Sequence, residues 1–136
     1  MKMPAATKAG GMCFAMPDVC KVPAPPAPPV PTPFPNIGTL NGCESTVSKV
    51  LVQKKETVTE ASKMPSSKGD EAGTLGGMIS NVNRGQVTFK RASSKVYAKG
   101  KKIVYHTAMS AHNGSNANMP AGAHVAPSQM KVFVAV

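Results

Sequence analysis

Residues 22–35 read VPAPPAPPVPTPFP, eight prolines in fourteen positions, and no other feature limits this chain so tightly. Proline has no N–H to donate, and its ring collides with the preceding helical turn, so a helix is excluded here. A central strand is excluded as well, because each proline would leave a gap in the ladder. What remains is extended, stiff polyproline II backbone, rising about 3.1 Å per residue. A linker, or a ligand for a proline-binding domain, is the generic reading of such a run. An independent linker would be more polar, whereas Val22, Val30, Phe34 and Ile37 punctuate this one. That pattern favours a strap laid across the surface of its own domain.

The rest of the chain reads as short strands. Its 136 residues make one domain. There is no Trp, with only four Phe and two Tyr, and the 41% apolar fraction leans on Ala, Val and Met. With 12 Gly and 13 Pro besides, such a composition gives many turns and a thin core, which needs a metal, a disulfide or a partner surface to support it. KVLVQ at 49–53 and TVTEA at 57–61 suggest a hairpin around the polar Lys54, Lys55 and Glu56. A second hairpin turns across Lys99, Gly100, Lys101 and Lys102, its arms at 96–98 and 103–106. Short strands are also expected at 78–82, 86–91 and 130–136. GDEAGTLGG at 69–77 is a turn cluster, and residues 110–129, rich in Asn, Ala and Gly, read as irregular. No sustained helical period appears. The expected division is a flexible lead-in at 1–11 unless tied down, a β domain at 12–113, and an extension at 114–136 that ends in a strand.

The formal charge is +10, which suits anionic partners or a merely solvated surface. No aromatics are interleaved with the basic residues, and there is no zinc-finger spacing and no basic helix, so specific nucleic-acid binding is not expected. No apolar stretch follows the early lysines as a signal peptide requires, and none approaches the ~20 residues that span a bilayer. An enzyme is not expected either. Six acidic residues, no nucleophile elbow and no phosphate loop leave only a Cys20–His112 pair, with Asp18, Asp70 or Glu71 to orient the base.

Three cysteines, Cys13, Cys20 and Cys43, are an odd set for a disulfide framework and suit metal ligation. The candidate ligands are Cys20, His106 and His112, with Cys13 or His124 as a fourth. Such a site would draw the N-terminal strap and the last hairpin to one point, and metal binding would add directly to folding stability. The alternative is surface histidines and a buried cysteine.

The stretch PDVCKVPAPPAPPVPTPFPNI at 17–37 resembles the opening of the PAAR-like family of type VI secretion and related contractile injection systems. STV at 45–47, SSKGDEAGT at 66–74, the glycine pair at 76–77, RGQVTF at 84–89 and KVYAKGKKIVYHTAMSAHN at 95–113 are similar to its later landmarks, in its order. Phe34 stands where the family has Tyr, and HTAM at 106–109 replaces HLDL, which removes an acidic residue.

The resemblance implies an all-β fold, a small cone of short hairpins that sits as a single copy on a trimeric spike protein. It implies a non-catalytic role: capping and sharpening the spike, aiding membrane puncture and effector delivery. The alternative is an adaptor that recruits a toxin effector. It also implies structural Zn2+ at Cys20, His106 and His112, with Cys13, Cys43 or His124 completing the set and Cys13 nearest to a matching position. Expected partners are the trimeric spike, one tip chain per trimer, effector proteins, and transiently the target membrane. Assembly is expected in the bacterial cytoplasm, with export on the spike.

Overall fold

The computed structural model describes residues 2–136. Twelve strands account for its regular structure, with one 3-10 turn at Leu40–Gly42 and no α-helix among the described residues. They are β1 (Lys2–Pro4), β2 (Met12–Ala24), β3 (Ala27–Thr39), β4 (Val47–Val52), β5 (Lys55–Thr57), β6 (Lys63–Met64), β7 (Val87–Phe89), β8 (Tyr97–Ala98), β9 (Lys101–Lys102), β10 (Met109–His112), β11 (Met119–Ala126) and β12 (Phe133–Ala135). The molecule is therefore the all-β domain that its turn-rich, aromatic-poor sequence predicts.

The main sheet has six strands in the order β3-β2-β11-β10-β7-β6. Its longest element is the β2–β3 hairpin, paired from Met12 with Thr39 out to Ala24 with Ala27. The proline-rich run fills the outer part of this hairpin. β3 takes five of the prolines and is the sheet's edge, the one place where residues without an N–H leave no neighbour unpaired.

Both short hairpins form. The first turns at Gln53 and Lys54, with φ of 51° and 67°, one residue earlier than the polar triplet suggests. The second turns at Lys99 and Gly100 alone, with φ of 49° and 79°, so Lys101 and Lys102 form the second arm instead of extending the turn. Two successive positive φ values match the right-handed twist of the flanking strands.

Two segments differ from the sequence reading. Residues 78–82 are turns rather than a strand. Residues 110–129 are not irregular: they carry β10 and β11, and β11 lies at the centre of the sheet between β10 and β2. Alanine and glycine are poor strand formers, yet small side chains are what this position demands. A Cβ on Gly122 would run into the His112 ring. The main sheet thus draws a strand from beyond residue 113, where the sequence reading places the end of the β domain.

The lead-in segment is tied down. β1 pairs antiparallel with β12, Lys2 opposite Ala135, and Ala5, Ala6 and Thr7 are buried. The apolar core gathers small groups around Leu40, Val58, Met64, Val87, Val104 and Tyr105. It is thin, as the composition implies. Beside it lies a second buried region that is polar.

Candidate metal centre

Asp18 and Cys20 are two apart on β2 and so share one face of the strand. The loop at 69–77 brings Asp70 onto that face. Its glycines let it lie flat against the strands. A Cβ on Gly73 would collide with the Cβ of Cys20, one on Gly69 with the Pro35 carbonyl, and one on Gly77 with the Asn118 side chain. Gly69 also adopts φ of 113°, open in practice only to glycine.

The Cys20 Sγ is then 3.7 Å from Asp18 Oδ1 and 3.8 Å from Asp70 Oδ2. All three residues are fully buried. Among the described residues they are the one group of three Asp, Glu, His or Cys side chains close enough to hold a common ion.

Amides surround the cluster. Asn36 Nδ2 is 3.1 Å from Asp18 Oδ2, 3.3 Å from Asp70 Oδ2 and 2.9 Å from Ser67 Oγ. Asn113 Nδ2 donates to Asp18 Oδ1 at 3.1 Å, to the Val82 carbonyl at 2.9 Å, and lies 3.5 Å from Cys20 Sγ. Asn118 Nδ2 donates to Asp18 Oδ1 and to the Val19 carbonyl. The Arg84 backbone N–H donates to Asp70 Oδ1 at 2.9 Å. Asp18 is thus held as an acceptor by three asparagines. Burial, then hydrogen bonding with Asp18, raises the Asp70 carboxyl to about 7. Burial, with the two carboxylates beside it, pushes the Cys20 thiol up to about 12.

A thiol held that high is no nucleophile at neutral pH. The donor set does suit a divalent cation. A tetrahedral zinc with one thiolate at about 2.3 Å and carboxylate oxygens at about 2.0–2.2 Å needs sulfur–oxygen edges of about 3.6 Å. The two observed separations fall within 0.2 Å of that edge. An ion here would displace the Cys20 and Asp70 protons and tie β2 to the loop at 69–77.

The ligands read from the sequence lie at several places. Cys20 is in the cluster. His112 lies one step away: its Nδ1 is 2.7 Å from Asn36 Oδ1 and its Nε2 is 2.8 Å from Ser110 Oγ. Asn36 Oδ1 can only accept, so Nδ1 carries the proton and Nε2 accepts from the serine. Both ring nitrogens are engaged, and burial lowers the His112 pKa to about 4. His106 is half-buried and lies against His124, with ring centroids 5.7 Å apart. Cys13 is in the apolar core. Burial, with Cys43 as a neighbouring thiol, raises its pKa to about 12. All three cysteines are free. The structure therefore brings Cys20 together with two aspartates, and does not bring Cys13, His106 and His112 into that group.

Asp18 and Asp70 entered the sequence reading only as groups to orient a base. The signal for them was modest: an Asp-x-Cys pair in alternating strand register, and an acidic residue amid glycines. Asn36 and Asn113 stood inside the stretches 17–37 and 95–113 that carry the family resemblance, without a role assigned to them, and Asn118 lay outside those stretches.

The model of the Toxin PAAR-like domain family matches residues 11–120. The chain belongs to this family. Every residue that forms or surrounds the Asp18–Cys20–Asp70 cluster falls within the matched span, as do nine of the twelve strands in full. No curated protein and no solved structure matches the chain. Membership points to a spike-associated, toxin-related role for this PAAR-like chain.

Proposed function

We propose that the chain is a non-catalytic tip for the trimeric spike of a contractile injection machine of the type VI kind. It would cap the spike as a single copy, sharpen it for membrane puncture and accompany effectors. The observation that carries this reading is the family match over residues 11–120. The fold supports it. Leu75, Met78, Ile79 and Val82 lie exposed within eight residues of one another, and apolar side chains so grouped are stabilised by a covering partner.

In this reading Asp18, Cys20 and Asp70 hold Zn2+ as a structural ion. The ion would fix the loop at 69–77 against β2, where the thin apolar core gives little support. Assembly would take place in the bacterial cytoplasm, with export on the spike. Co-expression with a trimeric spike protein, followed by native mass spectrometry, tests the assignment. One chain per trimer is the expected stoichiometry. Failure to associate with any such trimer would refute the tip role.

An adaptor for a toxin effector is the second reading, favoured by the exposed Met130, Val132 and Phe133 near the C-terminus. Removing residues 114–136 cannot test it, since β11 is central to the main sheet. Substituting Met130 and Phe133 with Ser keeps the backbone pairing intact. Loss of effector binding with retained spike binding would favour the adaptor.

A further inference from the structure

Outside the Asp18–Cys20–Asp70 cluster, one buried side-chain polar atom has no hydrogen-bond partner among the described residues: Nε2 of His124. The residue is 1% exposed and sits on β11 opposite Cys13. Its other nitrogen, Nδ1, lies 3.1 Å from the Met12 carbonyl. A carbonyl can only accept, so the proton is on Nδ1 and Nε2 keeps a bare lone pair. Burial lowers the His124 pKa, and neighbouring His106 lowers it further, against the raising effect of the Met12 carbonyl. The ring is therefore held neutral.

The neighbouring imidazole is arranged in the same way. His106 Nε2 lies 3.1 Å from the Val125 carbonyl, which assigns the proton to Nε2 and leaves Nδ1 as the acceptor. The two rings are 5.7 Å apart between centroids, with planes at 88°. Metal–nitrogen bonds of about 2.0–2.1 Å place an ion roughly 3 Å from each ring centroid, so this span suits two imidazoles on one ion with a bent angle. A histidine whose second nitrogen donates to a carbonyl is the arrangement that orients metal ligands. His106 is half-buried, which gives an ion a way in.

We propose that His106 and His124 form a second cation site, separate from Asp18, Cys20 and Asp70, for a first-row divalent ion that favours imidazole, such as Cu2+, Ni2+ or Zn2+. Water completes the coordination. The ion clips the turn after Tyr105 to β11. His106 lies within the span that matches the family and His124 beyond it, and it is the unpartnered Nε2 of His124 that carries the site.

The test uses the full-length, untagged chain. With Cys20→Ser to silence the thiolate, titration with Cu2+ should give one bound ion whose electron paramagnetic resonance spectrum shows coupling to imidazole nitrogen. Adding His106→Ala should weaken binding by at least about tenfold while the metal-free chain still unfolds in one cooperative transition. Equal affinity with and without His106, or a spectrum with no nitrogen coupling, would overturn the proposal. Co2+ on the otherwise wild-type chain is the second measurement. There His106→Ala should remove bound cobalt while leaving any thiolate-to-cobalt charge-transfer band unaltered. Loss of that band would place His106 on the ion of Cys20 and overturn the separation of the two sites.

Discussion

His112 and Asn36 are 76 residues apart in sequence, and their side chains meet at 2.7 Å in the buried interior. The same asparagine turns its amide nitrogen to Asp18, Asp70 and Ser67. Asn36 thereby joins the imidazole on β10 to the carboxylates on β2 and the 69–77 loop. Replacing it with Ala strips a donor from two buried carboxylates and an acceptor from a buried N–H. Each stranded group costs about 1–3 kcal/mol, so Asn36→Ala should destabilise the metal-free protein by about 3 kcal/mol or more in urea unfolding. A loss under about 1 kcal/mol would mean that water or an ion replaces the amide.

At the buried polar region Asp70 and His112 pull the pH dependence of stability in opposite directions, and His124, also lowered by burial, adds to the His112 side. Asp70 is raised from 3.8 to about 7, so the folded state holds a proton that the unfolded chain releases. Its contribution is complete below about 3.8 and is lost as pH rises to about 7. His112 is lowered from 6.5 to about 4. Its contribution is complete above about 6.5 and is lost as pH falls to about 4. Over the shared window the two slopes oppose, and the metal-free melting temperature should change little. In a His124→Gln background, which removes that added slope, His112→Gln leaves Asp70 unopposed, so the double variant should melt higher as pH is lowered from about 7 to 4. A variant as flat as the parent would contradict the Asp70 assignment.

Metal loading has its own proton signature. Binding at Asp18, Cys20 and Asp70 must release the thiol proton, and below about pH 7 the Asp70 proton too. Zinc affinity should therefore rise about tenfold per pH unit above 7 and more steeply below it. In a His106→Ala background, which removes the second site, saturating zinc should raise the melting temperature of the otherwise unchanged chain but not of Cys20→Ser or Asp70→Asn. Calorimetric titrations in buffers of different ionisation enthalpy count the protons. Zinc stabilisation retained in both variants would remove the ion from this cluster.

Gly73 tests how closely the loop is fitted to the strand. A Cβ there meets the Cβ of Cys20, and overpacking of this kind costs about 1–3 kcal/mol. Gly73→Ala should destabilise by that amount. Cys20→Gly in the same chain should recover much of it, because the colliding atom is gone. A double-mutant cycle with no coupling would show that the loop shifts instead.

Much of the fold was legible from local chemistry. Gly100 after Lys99 marks a hairpin, and the prolines of 27–35 forbid a central strand; the structure has that hairpin and places β3 at an edge. β11 was not legible, because its place depends on the ring of His112 packing over Gly122, a contact made between strands. At the cluster, Cys20 could be read as a ligand from its residue type. Its neighbours could not, since Asp70 arrives through a loop whose glycines look like ordinary turn residues. They are spaced so that the loop clears Pro35, Cys20 and Asn118, and only the folded strands reveal that constraint.

The pairing of Lys2 with Ala135 has a consequence for anything joined to this domain. Cargo fused before β1 and cargo fused after β12 would leave from the same doorway, and two large passengers would compete for it. A single passenger could be moved from one end to the other without changing where it hangs. Circular permutation, with a short linker across β1 and β12 and a new opening at the Lys99–Gly100 turn, would instead send the passenger out by the second hairpin.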